Sequence, residues 1–367
     1  MKATRQLHDL GQSLWLDNIT RTLLDDGTLA RYISEDSITG LTSNPSIFDK
    51  AMGDGDAYDA GIHAKTLAGL RGEKLFVELA LEDLRRAADL FAPVFQHTGG
   101  VDGWVSMEVS PLLAADTAGS IAAARQIHAA ARRDNLFVKI PGTPEGVPAI
   151  EEAIFLGIPI NVTLLFSCAQ YQATADAYMR GTERRIEAGL DPHVRSVGSL
   201  FVSRWDVAAN DALPQELHNM LGVAVGRQVY RAYRQMLDSA RWHKLAAAGA
   251  QPQRLLWAST GTKDPNASDT LYITSLAAPD TINTIPEKTL HAFADHGKLE
   301  GVMPIDGGDA DATLAKIGKA GVDVEALALK LQKDGAEAFV KSWKQLLQRI
   351  SDKASALDAK AKGAVMR

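Results

Sequence analysis

A lysine within an apolar run is the residue of this sequence best suited to covalent chemistry. Lys139 lies in the run LFVKIPG at residues 136–142, which has the composition of a buried strand. Burial of an ammonium group is costly, and a buried lysine commonly responds by losing its proton. Because a neutral amine is a nucleophile, this position favours a lysine that forms a Schiff base with a carbonyl substrate. The alternative is a lysine at a strand end whose side chain extends to water, and the run by itself does not separate the two interpretations.

Polar side chains suited to the same chemistry occur at the ends of other predicted strands. They are Asp17, Thr42, Asn44, Ser106, Glu108, Asn161 and Thr163. Taken singly, each is equally typical of a helix cap or a turn. Schiff-base chemistry on a sugar requires an amine, a carboxylate that moves protons, a second carboxylate for the leaving hydroxyl group, and neutral hydrogen-bonding groups. The joint occurrence of these groups favours one active site built around Lys139.

The elements that must position these residues are short apolar runs, at residues 14–17, 38–44, 103–110, 136–142, 159–166, 194–203, 254–260 and 281–285. Helix-forming segments lie between them, and the clearest are 73–91, 119–133, 167–188 and 215–248. Strands that alternate with helices imply a parallel sheet. Eight such units favour an α/β fold of the closed (β/α)8 or TIM-barrel type over an open doubly wound sheet. Catalytic residues of such barrels lie at the carboxyl ends of the strands.

The domain organisation follows from the absence of a linker-like segment. We predict a single domain over residues 1–367, with an N-terminal extension at 1–13 and a polar, Ala/Lys-rich C-terminal tail at 351–367. Apolar residues recur at helical spacing shortly before this tail, at Phe339, Trp343, Leu346, Leu347 and Ile350. This spacing predicts an additional C-terminal helix that packs on the barrel.

Composition excludes several classes of function. The 367 residues carry a formal net charge of −6, so we expect no nucleic-acid partner, although small phosphorylated ligands remain compatible with local cations. Cys168 is the only cysteine, which excludes an internal disulfide. The nine histidines lack metal-ligand spacing, so we expect no metal site. No signal-peptide or membrane segment is evident, which predicts a cytoplasmic protein.

Several motifs together resemble those of the transaldolase family, in its longer-subunit form. They are GLTSNPSIF at 40–48, SMEVSP at 106–111, VKIPGT at 138–143 and INVTL at 160–164. The resemblance extends from about residue 14 to at least residue 265. It implies a class I aldolase-type barrel that needs neither metal nor organic cofactor. The implied activity, within the pentose phosphate pathway, is transfer of a dihydroxyacetone unit from sedoheptulose 7-phosphate or fructose 6-phosphate to glyceraldehyde 3-phosphate or erythrose 4-phosphate.

The resemblance also implies a role for each matching residue. Lys139 corresponds to the Schiff-base lysine, and Glu108 to the acid/base that acts through a water held by Thr163. Asp17 corresponds to the base for the C4 hydroxyl group, and Arg204 to a phosphate ligand, for which a bidentate guanidinium is well suited. Arg204 could instead be a surface residue or a structural ion-pair partner. The residues implied to bind hydroxyl groups of the three-carbon unit are Asn44, Asn161 and Ser199.

Phe201 and Lys263 bear on the type of reaction. Relatives that release free dihydroxyacetone resemble this pattern with tyrosine in place of Phe201, whereas phenylalanine leaves the enamine for a second aldose. Lys263 would replace the second phosphate arginine of shorter relatives, or is simply solvated. An aldolase that releases dihydroxyacetone and a non-catalytic sugar-phosphate-binding barrel remain as alternatives, and the protein is either a monomer or a homodimer.

Overall fold

The computed structural model describes residues 2–53 and 55–365. Met1, Asp54, Met366 and Arg367 lie outside the described residues, so the outermost parts of the predicted N-terminal extension and C-terminal tail lie outside them too. Within the described residues, no helix combines the length and apolar character needed to cross a membrane.

The strands form one eight-stranded parallel sheet. They are β1 Ser13–Asp17, β2 Ile38–Thr42, β3 Val105–Glu108, β4 Leu136–Pro141, β5 Ile160–Leu165, β6 Ser196–Phe201, β7 Gln253–Ala258 and β8 Thr281–Ile285. Their order is β2-β1-β8-β7-β6-β5-β4-β3, and the two end strands meet where the backbone nitrogen of Leu41 donates to the carbonyl oxygen of Trp104 at 2.8 Å. The sheet is therefore a nearly closed barrel, as predicted.

Helices connect the strands and cover the outside of the barrel. The first ones are α1 Ala3–Asp9, α2 Arg21–Asp25, α3 Thr28–Glu35, α4 Pro45–Gly53, α5 Asp59–Leu67, α6 Gly72–His97, α7 Thr117–Ala131 and α8 Gly146–Phe155. The later ones are α9 Cys168–Glu187, α10 Ser203–Ala209, α11 Leu221–Leu237, α12 Ala240–Ala247, α13 Leu271–Ser275, α14 Glu287–His296, α15 Ala310–Lys319 and α16 Val324–Val365. Short 3₁₀ turns occur at Pro111–Leu113, Asn210–Ala212 and Gln215–Leu217. The predicted helices at 73–91, 119–133 and 167–188 are confirmed as α6, α7 and α9.

The helical segment predicted at 215–248 is wrong in its continuity, because the structure divides it between a 3₁₀ turn, α11 and α12. The break lies at Ser239, which has an extended backbone and whose side chain accepts a hydrogen bond from the backbone nitrogen of Trp242. Side-chain capping of this kind stabilises a new helix start over continuation of the old helix.

The predicted C-terminal helix is α16, and it packs on the barrel. Phe339, Trp343, Leu346 and Ile350 are all buried on its inner face. The ring of Trp343 meets that of Phe76 on α6 edge to face, with 5.0 Å between ring centroids. The helix continues to Val365, so the Ala/Lys-rich segment after residue 350 is helical over its described part.

Aromatic side chains fill the barrel interior beneath the carboxyl ends of the strands. Phe137 stacks on Trp104 at 4.0 Å between ring centroids and lies 6.1 Å from Trp15. Gly40 on β2 makes room for this cluster, because a Cβ atom there would lie 2.6 Å from Nε1 of Trp15. Since Phe137 precedes Lys139 by two residues on the same strand face, the cluster forms an apolar floor under the lysine.

Candidate active site

Strand register places three of the predicted site residues side by side. Glu108 on β3 is the register partner of Lys139 on β4, and Lys139 is the partner of Asn161 on β5. Thr163 lies two residues beyond Asn161, opposite Pro141. Because parallel strands point the same way, all of these side chains lie at the carboxyl end of the barrel.

Lys139 is enclosed rather than extended to bulk water. Only 6% of the residue is exposed. Its Nζ atom donates a hydrogen bond to the carbonyl oxygen of Ser43 at 2.9 Å and lies 3.6 Å from Oε2 of Glu108. The amine is thus held at the strand end by one backbone acceptor and one carboxyl group, and the strand-end lysine that reaches bulk solvent does not describe this geometry.

The buried carboxyl group of Glu108 and the half-buried one of Asp17 both have a perturbed proton affinity. Burial raises the pKa of Glu108, the charge of Lys139 opposes that rise, and the charge of Asp17 adds to it. Burial also raises the pKa of Asp17, against the charge of Lys139 and a 2.9 Å hydrogen bond from Oγ1 of Thr42. A carboxyl group with a raised pKa can take up and release protons nearer neutral pH, which is what an acid/base catalyst requires.

Neutral polar groups next to Lys139 form a short hydrogen-bonded chain. Ser199 Oγ donates to Oδ1 of Asn161 at 2.7 Å, and Nδ2 of Asn161 donates to Oγ of Ser106 at 3.2 Å. These bonds fix the orientation of the Asn161 amide beside the lysine.

Thr163 and Glu108 each retain hydrogen-bonding capacity. Oγ1 of Thr163 and Oε2 of Glu108 are buried and have no hydrogen-bond partner among the described residues. Buried polar atoms are normally paired, so each of these atoms marks a position where a bound water or reactant can complete its hydrogen bonding.

A cavity of about 200 Å³ opens over Lys139. Its lining includes the predicted residues Asp17, Asn44, Lys139, Asn161, Thr163, Ser199, Phe201 and Arg204. Glu108 is not part of this lining and instead lines a separate cavity beside α6, so within the described residues it contacts the site only through Lys139. A larger cleft of about 930 Å³ shares Asp17, Asn44 and Ser46 with the cavity over Lys139, so the two spaces adjoin. The two spaces together can hold a phosphorylated sugar whose carbonyl carbon approaches Lys139.

Asn44 serves the local fold as well as the cavity. Its Oδ1 atom accepts a hydrogen bond from the backbone nitrogen of Ile47 at 3.0 Å, in the first turn of α4. Asn44 therefore caps the start of α4 and also lines the cavity, and its part in substrate binding stays a prediction.

Arg204 presents its guanidinium group to the cavity without a carboxylate partner. The Cζ atom lies 4.9 Å from the ring centroid of Phe201 and 5.7 Å from that of Phe339 on α16. Within residues 2–53 and 55–365, no carboxylate oxygen lies within 4.0 Å of it, so the ion-pair alternative does not apply there. A guanidinium held between two rings keeps its donors available for an anion.

Phe201 and Lys263 differ in how they relate to the cavity. Phe201 is buried in its wall, with its ring 5.3 Å from that of Phe166. Lys263 is exposed and is not part of the cavity lining, although its charge opposes the rise in the pKa of Asp17. Its part in phosphate binding stays a prediction.

Sequence reasoning missed Gln332 on α16. Its Nε2 atom donates to the carbonyl oxygens of Gly142 and Leu164, at 2.9 and 3.0 Å, immediately after β4 and near the end of β5. Leu164 has a φ of +59°, a conformation that is strained for leucine and follows Thr163 directly. No local pattern could have assigned this role to Gln332.

Thr284 and Phe339 were also missed as cavity residues. Thr284 is on β8, and its hydroxyl group lies 2.5 Å from that of Thr42 on β2, the other neighbour of β1. Strand parity gave no signal for it, because the residue that shares its strand face, Ile282, is apolar. Phe339 was recognised only as part of the apolar face of α16.

Similarity to known proteins extends along almost the whole chain. The family profile described as Transaldolase/Fructose-6-phosphate aldolase matches residues 14–350. A protein of Thermobifida fusca named Transaldolase is 44% identical over 361 residues, which cover 96% of this chain and 98% of that protein. A protein of Thiobacillus denitrificans with the same name is 45% identical over 363 residues, covering 95% of this chain and all of the relative. Transaldolase 2 of Streptomyces coelicolor is 41% identical over 355 residues, covering 94% of this chain and 95% of the relative.

Proposed function

The chain belongs to the transaldolase/fructose-6-phosphate aldolase family and is a transaldolase in function, and from that premise we propose that Lys139 is its Schiff-base nucleophile. The observation that carries the proposal is the position of the Lys139 amine, which is buried, lines the cavity and lies 3.6 Å from the Glu108 carboxyl group behind it. The substrates are sugar phosphates. We propose that the donors are sedoheptulose 7-phosphate and fructose 6-phosphate, and that the acceptors are glyceraldehyde 3-phosphate and erythrose 4-phosphate.

The first half of the reaction forms and cleaves an imine. The Lys139 nitrogen adds to the ketose carbonyl carbon C2, and the carbonyl oxygen leaves as water after Glu108 supplies a proton, which gives an iminium ion. Asp17 then accepts the proton of the C4 hydroxyl group. The electrons of the C3–C4 bond move into a C2–C3 double bond, the iminium nitrogen becomes neutral, and the aldose phosphate departs. The iminium thereby serves as the electron acceptor of the cleavage.

The second half reverses these steps on a new aldehyde. C3 of the enamine attacks the carbonyl carbon of the acceptor, and Asp17 returns its proton to the new C4 oxygen. Water that is positioned by Glu108 and Thr163 adds to C2 of the iminium, and the lysine amine is released with the new ketose phosphate. The unpartnered buried oxygens of Glu108 and Thr163 support this role for the pair.

The cavity wall determines whether the three-carbon unit is transferred to an aldose or released as free dihydroxyacetone. Phe201 has no hydroxyl group that could direct a water to the enamine, so the enamine persists until an aldose arrives. Arg204 binds the phosphate group of the substrates, supported by its free donors in the cavity. Asn44, Asn161 and Ser199 bind the hydroxyl groups of the three-carbon unit, and Lys263 assists Arg204 from the outer edge.

The domain organisation and the cellular location of the protein are also part of the proposal. We propose a single barrel domain over residues 1–367 that works in the cytoplasm, as its single unpaired cysteine suits a reducing compartment. Size-exclusion chromatography with light scattering would distinguish the monomer from the homodimer.

Product analysis tests the proposed reaction. With fructose 6-phosphate and erythrose 4-phosphate, the protein should form sedoheptulose 7-phosphate. With fructose 6-phosphate alone, it should release free dihydroxyacetone at least 100-fold more slowly, an estimate that assigns about 2.7 kcal/mol to the blocked hydrolysis. Rapid release of dihydroxyacetone without an acceptor would contradict the proposal, and Phe201→Tyr is the variant expected to increase that release.

A further inference from the structure

A second polar cavity lies at the amino-terminal end of the barrel, opposite Lys139. It has a volume of about 500 Å³ and shares no lining residue with the cavity over the lysine. Gln12 and Ser13 line it at the start of β1, Arg195 lines it immediately before β6, and Arg254 lines it at the start of β7. The reaction proposed above uses none of these residues.

Arg254 is buried in this cavity with its donors largely satisfied. Its Nη2 atom donates to Oγ of Ser13 at 2.7 Å and to the carbonyl oxygen of Thr281 at 3.0 Å. Its Nη1 atom donates to the carbonyl oxygen of Val101 at 3.1 Å and lies 3.4 Å from Oδ1 of Asp102. The single nearby carboxylate is therefore at the long end of hydrogen-bonding distance.

Asp102 is also occupied by neutral donors. Ser13 Oγ donates to its Oδ2 atom at 2.6 Å, and Nε1 of Trp15 donates to its Oδ1 atom at 3.0 Å. These bonds hold the carboxylate beside the aromatic cluster, and its single negative charge can balance the positive charge of one guanidinium at most.

Arg195 is the second guanidinium of the cavity, and it lacks a carboxylate. The residue is 9% exposed, and its Nη2 atom donates to the carbonyl oxygen of Gly99 at 2.9 Å. Its Nε atom is buried without a hydrogen-bond partner, and no carboxylate of the described chain lies within 4.0 Å of the group. Burial lowers the pKa of Arg195 and the charge of Arg254 adds to that effect, whereas Tyr178 and the more distant Asp102 oppose it, and a guanidinium remains protonated at neutral pH.

The cavity therefore contains two buried positive charges and one buried negative charge. At its rim, Asp280 is exposed and accepts a hydrogen bond from Nη1 of Arg234 at 2.7 Å, so it does not neutralise Arg195. A buried charge without a counter-ion is strongly unfavourable, and a bound oxyanion would relieve it. We propose that this cavity is a binding site for a phosphate group, free or carried on a small organic molecule, with Arg195 as its direct ligand.

The size and walls of the cavity favour a phosphate that carries an organic group. A space of about 500 Å³ is far larger than one inorganic anion requires, and such volumes are typical of small-molecule sites. Tyr233, Leu237 and Trp242 supply apolar and aromatic surface on one side, against which a sugar or similar body can pack.

Calorimetric titration with inorganic phosphate and, separately, with glucose 6-phosphate tests the proposal. The experiment uses the full-length Arg204→Met protein, in which phosphate binding over Lys139 is weakened. We expect this protein to bind phosphate at one remaining site, and the additional change Arg195→Met to weaken that binding at least 10-fold. Tighter binding of glucose 6-phosphate than of phosphate identifies an organic ligand, and equal binding identifies the free anion.

The matched control is Arg185→Met in the same background. Arg185 also donates to backbone carbonyl oxygens, those of Asp191 and Phe155, and is not part of this cavity. Its loss should leave phosphate affinity unchanged. Absence of phosphate binding to the Arg204→Met protein, or equal affinity with and without Arg195, would overturn the proposal.

A chemical footprint on the unmodified protein gives an answer that does not depend on the folding of any variant. Phenylglyoxal modification of Arg195, measured by peptide mass spectrometry, should slow several-fold in phosphate, while modification of Arg185 should not. An unchanged rate at Arg195 in saturating phosphate would likewise overturn the proposal.

Discussion

Arg204 and Gly335 are in such close contact that a Cβ atom on the glycine would lie 3.0 Å from Nη1 of the arginine. The absence of a side chain at one position of α16 thus allows the C-terminal helix to approach the guanidinium over the substrate cavity. Phe339, one turn further along, lies against the same guanidinium. The helix therefore fixes the position of the arginine.

Gly335→Ala should displace Arg204 and Leu164, whose side chains would lie 3.0 and 2.9 Å from the added methyl group. Alanine favours a helix over glycine by about 1 kcal/mol, while overpacking against Leu164 costs about 1–3 kcal/mol, so the free energy of unfolding should change by less than about 2 kcal/mol. A displaced guanidinium loses part of a charge-assisted contact, which should raise KM for fructose 6-phosphate about 10-fold. Gly318→Ala on α15 is the control, because no atom lies within 4 Å of the added Cβ. Steady-state kinetics in which both variants match the wild type would contradict this role for Gly335.

Gln332→Leu should reduce turnover more than substrate affinity. The change leaves the carbonyl oxygens of Gly142 and Leu164 without their donor, at a cost of about 1–3 kcal/mol in unfolding free energy. Because those carbonyls lie just beyond Lys139 and Thr163, we expect kcat to fall about 10-fold with little change in KM. Gln348→Leu on the exposed side of the same helix, where Nε2 donates to Oδ1 of Asp352, should alter neither quantity. A fall in stability with unchanged kcat would show that Gln332 has no positioning role.

Arg204→Met should alter the pH dependence of the reaction as well as its rate. The positive charge of Arg204 lowers the pKa of both Asp17 and Glu108, so its removal raises both. Asp17 must be ionised to accept the C4 proton, and activity is lost as the pH falls through its pKa. The acid limb of the kcat/KM profile should therefore move to higher pH, and kcat/KM should fall about 10- to 100-fold. An acid limb that stays in place or moves to lower pH would contradict this assignment.

Gly40→Ala should destabilise the barrel. The added methyl group would lie 2.6 Å from Nε1 of Trp15, which is held by its hydrogen bond to Asp102 within the aromatic floor. Overpacking of a closed core costs about 1–3 kcal/mol, measurable by urea unfolding. Gly318→Ala again serves as the control and should be neutral or slightly stabilising. If the Gly40→Ala protein were as stable as the wild type, the aromatic cluster would accommodate the methyl group without overpacking, and the prediction would be wrong.

The positions of Glu108, Lys139 and Asn161 could be predicted from the sequence because strand parity is a local property. Alternation fixes which face each side chain shares, and parallel strands align their carboxyl ends. Gln332 could not be predicted, since its partners lie 190 and 168 residues away in sequence. The break at Ser239 was missed because helix propensity outweighed a single capping residue in the sequence pattern. The exposed position of Lys263 depends on the conformation of one loop, which no local pattern determines.

The most direct test of the proposed chemistry is borohydride trapping in the presence of fructose 6-phosphate. Reduction of the imine should add the mass of the reduced sugar adduct to the peptide that contains Lys139. Lys139→Arg should abolish the adduct and turnover, because a guanidinium cannot form the imine. Lys50→Arg, a lysine in the outer cleft, should retain both. An adduct on another lysine, or full turnover in the Lys139→Arg protein, would contradict the account.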